Sequence, residues 1–81
     1  MNPEEFLALL AKALKINSSR IHAGSRQEDF EEWDSLGHLN ILVQLDKATD
    51  GKASLITAFV EAKSVADFLS ILAENNLLKN S

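Results

Sequence analysis

One serine in this chain stands where an acidic stretch gives way to an apolar helical pattern. Ser35 follows Asp34, and both residue types favour the start of a helix. Leu36 and Leu39 then begin an apolar periodicity of about 3.6 residues. A hydroxyl at a helix N-terminus lies beside unpartnered backbone N–H groups, which favour anions, so Ser35 could carry an attached phosphate. The alternative is that Ser35 only caps the helix, a commoner role for serine.

The motif Asp34-Ser35-Leu36 resembles the Asp-Ser-Leu sequence of acyl carrier proteins, whose serine carries a 4′-phosphopantetheine arm. Residues 33–40 are similar to the same segment of specialised stand-alone carriers, and residues 63–68 resemble the start of that family's last helix. The resemblance covers almost the whole chain. It implies one all-α domain over residues 1–81, an acyl-carrier-type four-helix bundle with three main helices, a short third helix and a long first loop.

The resemblance also implies a role. The protein would perform no catalysis and would hold an acyl group as a thioester on the arm at Ser35, between the flanking Asp34 and Leu36. The implied partners are a phosphopantetheinyl transferase, which uses coenzyme A, and acyl-loading and acyl-transferring enzymes. The side chains expected at the partner surface are Leu36, His38, Ile41 and Lys47. Those expected to line an acyl pocket are Phe30, Leu45, Ile56 and Phe59.

The second helix departs from the pattern of fatty-acid-synthesis carriers, in which it is strongly acidic and docks on basic partners. Residues 35–52 of this chain contain two acidic and two basic residues. This balance favours a dedicated pathway, for a polyketide, a modified lipid or a cell-envelope acyl group. A carrier of amino acids or peptides is an alternative within the family. An unmodified helical protein-interaction domain is the alternative outside it.

Composition argues against several other kinds of function. The chain has no cysteine, so a reactive thiol would have to come from a cofactor. The net charge is −4, and residues 28–34 contain five acidic residues and no basic one, which disfavours nucleic acid and anionic membranes and suits a basic protein partner. No apolar run is long enough to cross a bilayer, and the first residues lack the basic start of a secretory signal. We therefore expect a cytoplasmic monomer.

Other chemistry at the histidines and aromatic residues is not favoured by the spacing. Ser35, His38 and Asp34 are the residue types of a catalytic triad, but one helical turn does not aim three such neighbours at each other. His22 and His38 show no recognised metal-ligand spacing, so no metal site is expected. Acidic neighbours make a nucleotide platform at Trp33 improbable, and we expect this ring to anchor the core or the loop.

Helices are predicted to position these residues. Asn2 and Glu5 are typical of a capped helix start, and that first helix should end near Leu14 or Lys15. Residues 16–33 form a long connection, which in so small a domain needs anchors in the core. We expect those anchors to be Ile16, Ile21 and Phe30.

The second helix should run from Ser35 or Leu36 to about Thr49, with Gly51 as a left-handed stop. Its apolar residues cover more than one stripe of the helix surface, which predicts that the helix packs against neighbours on more than one side or offers a contact surface. A short third helix is expected over residues 54–60. It should bury Phe59 together with Leu55 or Ile56.

The last helix has the clearest pattern. Ser64 and Asp67 resemble a capping box, and the helix should end near residues 75–76. Residues 77–78 are expected to fold back on the core, and residues 79–81 to fray. Its apolar stripe consists of Val65, Phe68, Leu69 and Leu72.

Overall fold

Three α-helices form the regular structure of residues 1–79, the part of the chain that the computed structural model describes. They are α1 (Pro3–Leu14), α2 (Ser35–Ala48) and α3 (Val65–Glu74). Short 3-10 turns occupy the connections, and the described residues contain no β-strand. The prediction of an all-α protein is confirmed. No helix among residues 1–79 has the length and apolar character needed to span a membrane.

The first helix has the ends that its sequence predicts. The side chain of Asn2 accepts the N–H of Glu5 at 2.8 Å, and the Glu5 carboxylate accepts the N–H of Asn2 at 3.1 Å. Two backbone donors that the helix cannot satisfy are therefore paired at its start. The helix ends at Leu14, where Lys15 takes a left-handed conformation with φ of 58°.

Aromatic rings join the parts of the core. The ring of Phe68 in α3 packs against Phe6 of α1, with centroids 5.2 Å apart. It also contacts Trp33 at 6.2 Å and Phe59 at 5.6 Å. One side chain thus connects α1, the loop before α2 and the segment before α3. The larger aliphatic side chains of the core are Leu10, Leu14, Ile21, Ile41, Leu45, Val65 and Leu72.

The long connection between α1 and α2 is anchored as predicted. Ile21 is buried, and Ile16 and Phe30 pack partly buried against the core. Two 3-10 turns, Ser18–Arg20 and Gln27–Asp29, shape the chain between these anchors. The anchors explain how so long a connection is tolerated in a small protein.

Two backbone hydrogen bonds also fasten this loop to the start of α3. The N–H of Gln27 donates to the carbonyl of Lys63 at 2.8 Å, and the N–H of Val65 donates to the carbonyl of Ser25 at 3.0 Å. Residues 25–27, which precede the acidic stretch, are therefore fixed against residues 63–65 at the start of α3.

The segment between α2 and α3 differs from the prediction. The expected short third helix is replaced by two 3-10 turns, Ala53–Leu55 and Thr57–Glu61. Phe59 is buried and Ile56 is half-buried, whereas Leu55 is 83% exposed. So short a segment gains too few i→i−4 bonds to favour an α-helix, and burial of Phe59 decides its path. The predicted four-helix arrangement is not confirmed.

The start of α3 corrects a detail of its predicted cap. The Ser64 hydroxyl accepts the N–H of Asp67 at 3.0 Å, as expected. The Asp67 carboxylate, however, accepts the N–H of Lys63 at 3.0 Å and not that of Ser64. The carboxylate therefore bonds the residue before the cap and not the cap itself. The first bond satisfies a backbone donor of the first turn, and the second satisfies one that precedes the helix.

The C-terminal segment packs on the core as far as it is described. Leu77 and Leu78 lie partly buried against the core, as predicted. The N–H of Lys79 donates to the carbonyl of Met1 at 2.6 Å, so this residue is held and not frayed. Asn80 and Ser81, which were also expected to fray, lie outside the described residues.

Leu72 tests the phase of α3, because its side chain is completely buried. We expect Leu72→Ala to lower the free energy of unfolding by about 2–5 kcal/mol, through lost burial and the cavity left behind. Leu55→Ala is the matched control, since that side chain is 83% exposed and a surface change stays within about 0.5 kcal/mol. Urea unfolding followed by Trp33 fluorescence measures both. Equal losses in the two variants would contradict this packing of α3.

Candidate functional site

Ser35 is the first residue of α2, and its side chain is exposed. The cap of this helix is Asp34, whose Oδ1 accepts the N–H of Gly37 at 2.8 Å. The interpretation of Ser35 as the cap is therefore wrong. Because Asp34 makes the capping bond, the Ser35 hydroxyl can be modified without loss of that bond. The backbone N–H groups of the first turn lie beside it, where a phosphate is favoured.

The acidic stretch before Ser35 is partly neutralised. The guanidinium of Arg20 lies 2.8 Å from the Glu32 carboxylate and 5.5 Å from the centroid of the Phe30 ring. The hydrogen bond from the Arg20 guanidinium to the Glu32 carboxylate holds the pKa of that carboxyl below its ordinary value. The pair is exposed and adds little to stability. Glu31 and Asp34 remain exposed next to Ser35, so the site keeps a negative character.

Gly37 lets the loop lie directly against the first turn of α2. A β-carbon at this position would overlap the carbonyl oxygen of Glu32 and would approach Cδ2 of Leu14 to 3.0 Å. Gly37 is accordingly buried although its sequence neighbours Leu36 and Ser35 are exposed. The residue thus sets how closely the acidic loop and α1 approach the start of α2.

His38 bridges three parts of the chain beneath Ser35. The indole N–H of Trp33 donates to Nδ1 of His38 at 3.0 Å, and Nε2 of His38 lies 3.0 Å from the carbonyl oxygen of Phe59. Since indole nitrogen only donates, Nδ1 is the acceptor and Nε2 carries the proton. Both ring nitrogens are engaged in these bonds and not with Ser35. His38 is half-buried and these bonds hold its ring, so its contact with partners stays a prediction.

The other expected partner residues divide by helix face. Leu36 and Lys47 are exposed, as a docking role requires. Ile41 is completely buried, so its assignment to the partner surface is wrong. It shares with Gly37 and Leu45 the stripe of α2 that faces the core, at a spacing of four residues. With apolar residues on several faces, the sequence did not distinguish this stripe from the exposed one.

An exposed apolar track runs along α2 from Ser35. Leu36, Leu39 and Val43 are 66%, 55% and 44% exposed, and their spacing places them on neighbouring turns. We name these three side chains the apolar track. Sequence reasoning noted the surplus of apolar residues in this helix but did not assign Leu39 and Val43 to the surface.

A groove of about 380 Å³ lies between the second half of α2 and residues 53–60. Ile56 and Phe59, two of the side chains expected to line an acyl pocket, line this groove, whereas Phe30 and Leu45 do not. Leu45 points into the core, and Phe30 packs in the first loop beside Arg20. The apolar side chains that line the groove are Leu42, Val43, Ala53, Ile56, Phe59 and Val60.

Comparisons with protein-family models, with curated proteins and with solved structures find no match for this chain. Among residues 1–79 there is also no cluster of three or more histidine and carboxylate side chains that could hold a metal ion. The features of the described residues that bear on function are Ser35, the apolar track and the groove.

Gly37→Ala tests the close approach of the loop to α2. Alanine is the better helix former by about 1 kcal/mol, so a gain in stability would be expected in an open helix. Here we expect a net loss of about 1–3 kcal/mol, because the added methyl group meets backbone that cannot move freely. Thermal unfolding monitored by circular dichroism measures the change.

Gly24→Ala is the control for that experiment, since its methyl group would meet only the exposed His22 side chain, at 3.3 Å. We expect a change within about 0.5 kcal/mol for this variant. A Gly37→Ala protein as stable as the unsubstituted chain would contradict the contact with Glu32.

Proposed function

We propose that this protein is a carrier of the acyl carrier type, with a 4′-phosphopantetheine arm on Ser35. The single observation that carries the proposal is the exposed serine at the first position of α2, capped independently by Asp34. Transfer from coenzyme A would join the serine oxygen to phosphorus, with loss of the hydroxyl proton and departure of the adenosine bisphosphate. The capping bond survives this change, because it involves only Asp34 and Gly37.

The thiol at the end of the arm would hold the acyl group as a thioester. The chain has no cysteine of its own, so the arm supplies the only thiol. The protein itself performs no catalysis in this proposal. Its contribution is to tether the acyl group near the active sites of loading and transferring enzymes, which raises the effective concentration.

The groove supports an acyl cargo. Its apolar walls include Leu42, Ile56 and Phe59, which favour a hydrocarbon chain, and Asp46 and Lys47 also line it. Leu42 follows Ser35 by seven residues, or roughly 10 Å along the helix at about 1.5 Å per residue. The apolar track spans that interval, so a chain leaving the arm meets apolar surface as far as the groove.

The same track supports docking by partner enzymes. Leu36 and Leu39 offer exposed apolar area beside the arm, and α2 offers few charges for an ionic contact. This combination favours a dedicated lipid or polyketide pathway over general fatty acid biosynthesis. We also propose that the chain has the bundle architecture of that family, with residues 53–61 in the place of the short third helix. We propose further that the protein is cytoplasmic and monomeric.

The exposed apolar track favours one alternative of another class, an unmodified helical interaction domain. Such a domain would use Leu36, Leu39 and Val43 to bind a partner and would have no need of a modified serine. Chemical labelling of Ser35 separates the two functions.

Incubation with coenzyme A and a broad-specificity phosphopantetheinyl transferase should add one phosphopantetheine unit, measured by intact mass. Ser35→Ala should stay unmodified and should unfold within about 0.5 kcal/mol of the unsubstituted chain, since Asp34 keeps its cap. Ser70→Ala is the matched control, because Ser70 is an exposed serine of α3 and should not affect labelling. A folded protein that no competent transferase modifies would favour the interaction domain.

Docking at the apolar track can be measured with the same transferase. Leu36→Ala should lower kcat/KM for modification by about tenfold, the equivalent of about 1.4 kcal/mol of lost apolar contact. Lys47→Ala, a change of charge on the same helix, should alter it by less than about threefold. Steering by the acidic stretch weakens with salt, so salt should reduce the rate of both variants equally. A larger effect of Lys47→Ala than of Leu36→Ala would contradict apolar docking.

A further inference from the structure

We infer that His38 is a pH-sensitive lock, which joins the start of α2 to residues 57–61 when neutral and releases them when protonated. Residues 57–61 contribute Phe59 and Val60 to the groove, so release would loosen one of its walls. The consequence for an acyl cargo rests on the proposed function. The lock itself depends only on hydrogen bonds that are present in the protein without a phosphopantetheine arm.

The lock consists of two hydrogen bonds in series. The indole N–H of Trp33 donates to Nδ1 of His38, and Nε2 of His38 donates to the carbonyl of Phe59, each at 3.0 Å. These bonds connect the end of the first loop, the first turn of α2 and the segment before α3. Phe59 lies 21 residues beyond His38, so the second bond is a tertiary contact between separate segments.

Protonation removes the acceptor in the first bond. A protonated imidazole carries N–H on both nitrogens, so Nδ1 would present a hydrogen to the indole N–H of Trp33. Two donors would then face each other at the positive edge of the indole ring. Trp33 is almost completely buried and would lose the partner of its only polar group. The neutral and charged forms of His38 therefore cannot keep the same arrangement.

The rings nearest to His38 carry no negative charge that could pair with a protonated imidazole. The ring lies 6.3 Å from Trp33 and 5.7 Å from Phe68, measured between centroids. It belongs to the first turn of α2, where the helix dipole disfavours a cation. The protonated ring keeps its Nε2–H donor, but Nδ1 can no longer face the indole N–H of Trp33. Because the half-buried ring can reach water, it should turn outwards to relieve this contact, and this turn would also carry Nε2 away from Phe59.

No carboxylate pairs with this histidine among the described residues. The ion pairs within 4 Å in residues 1–79 are Arg20–Glu32 and Arg26–Glu28. Asp34 is committed to the N–H of Gly37, and Asp67 to the N–H of Lys63. The charged residues of the elements that pack against the ring are Glu31, Glu32, Asp34, Asp46, Lys47, Glu61, Asp67 and Glu74.

The composition of the chain makes the lock directly observable. Trp33 is the only tryptophan, there is no tyrosine, and His22 is the only other histidine. Fluorescence and the indole N–H resonance therefore report Trp33 alone. Lowering the pH of the unmodified protein from about 8 to 5, the range in which histidine titrates, should change the Trp33 signal in one single-proton step. The His38 ring resonances should move with the same midpoint.

Two glutamine variants separate the lock from other effects of pH. In His38→Gln the amide can accept from the indole and donate to the Phe59 carbonyl but cannot take up a proton, so the Trp33 step should disappear. His22→Gln should retain it, because His22 is exposed and its ring accepts only the N–H of Gly24. Amide exchange of residues 57–62, corrected for its intrinsic pH dependence, should be about tenfold faster near pH 5 than near pH 7.5 in the unsubstituted chain and unchanged in His38→Gln.

A Trp33 signal that is constant over this range, or a step that survives in His38→Gln, would overturn the lock. If His38→Gln does not fold, the resonances of the unsubstituted protein decide, since different midpoints for His38 and the Trp33 indole N–H also overturn it. Unaltered exchange in residues 57–62 would overturn the release of that segment. Labelling of Ser35 is measured separately, so failure of the lock and failure of the carrier function are distinguishable.

Discussion

At Gly37 the first turn of α2 lies against the carbonyl oxygen of Glu32, with no room for a β-carbon between them. The other features of the site follow from this contact. With the loop held so close to the helix, Trp33 is buried in the core, Asp34 caps the first turn, and Ser35 begins the helix on the side that faces solvent. A larger residue at position 37 would displace the loop and, with it, the serine.

The ends of the helices could be predicted from sequence because capping is local. The side chains of Asn2, Asp34 and Ser64 each accept the backbone N–H three residues ahead, and these residue types are typical of helix N-caps. The burial of α2 could not be predicted in the same way. Its apolar residues occupy several faces, so only the packing of α1 decides that Ile41 is buried while Leu39 is exposed. The role of His38 depends on a carbonyl 21 residues away, which no local pattern contains.

Some apolar residues of α2 are buried and stabilise the fold, whereas others are exposed to solvent. Ile41 and Leu45 are completely buried and stabilise the fold, each by about 1.5–3 kcal/mol relative to an exposed side chain. Leu36 and Val43 contribute little to the core, since much of their surface meets water. The protein thus leaves apolar area exposed on the helix that begins with Ser35, although a chain of this size has few such residues to spare.

The two 3-10 turns of residues 53–61 have a consequence for how this protein can diverge. One wall of the groove is held to the core mainly by Phe59 and Ala53, whereas Ser54, Thr57 and Val60 are exposed. Substitutions at these exposed positions would reshape the groove while the buried contacts of α1, α2 and α3 stay intact. The segment is therefore an evolvable surface, on which new binding preferences could accumulate without loss of the fold.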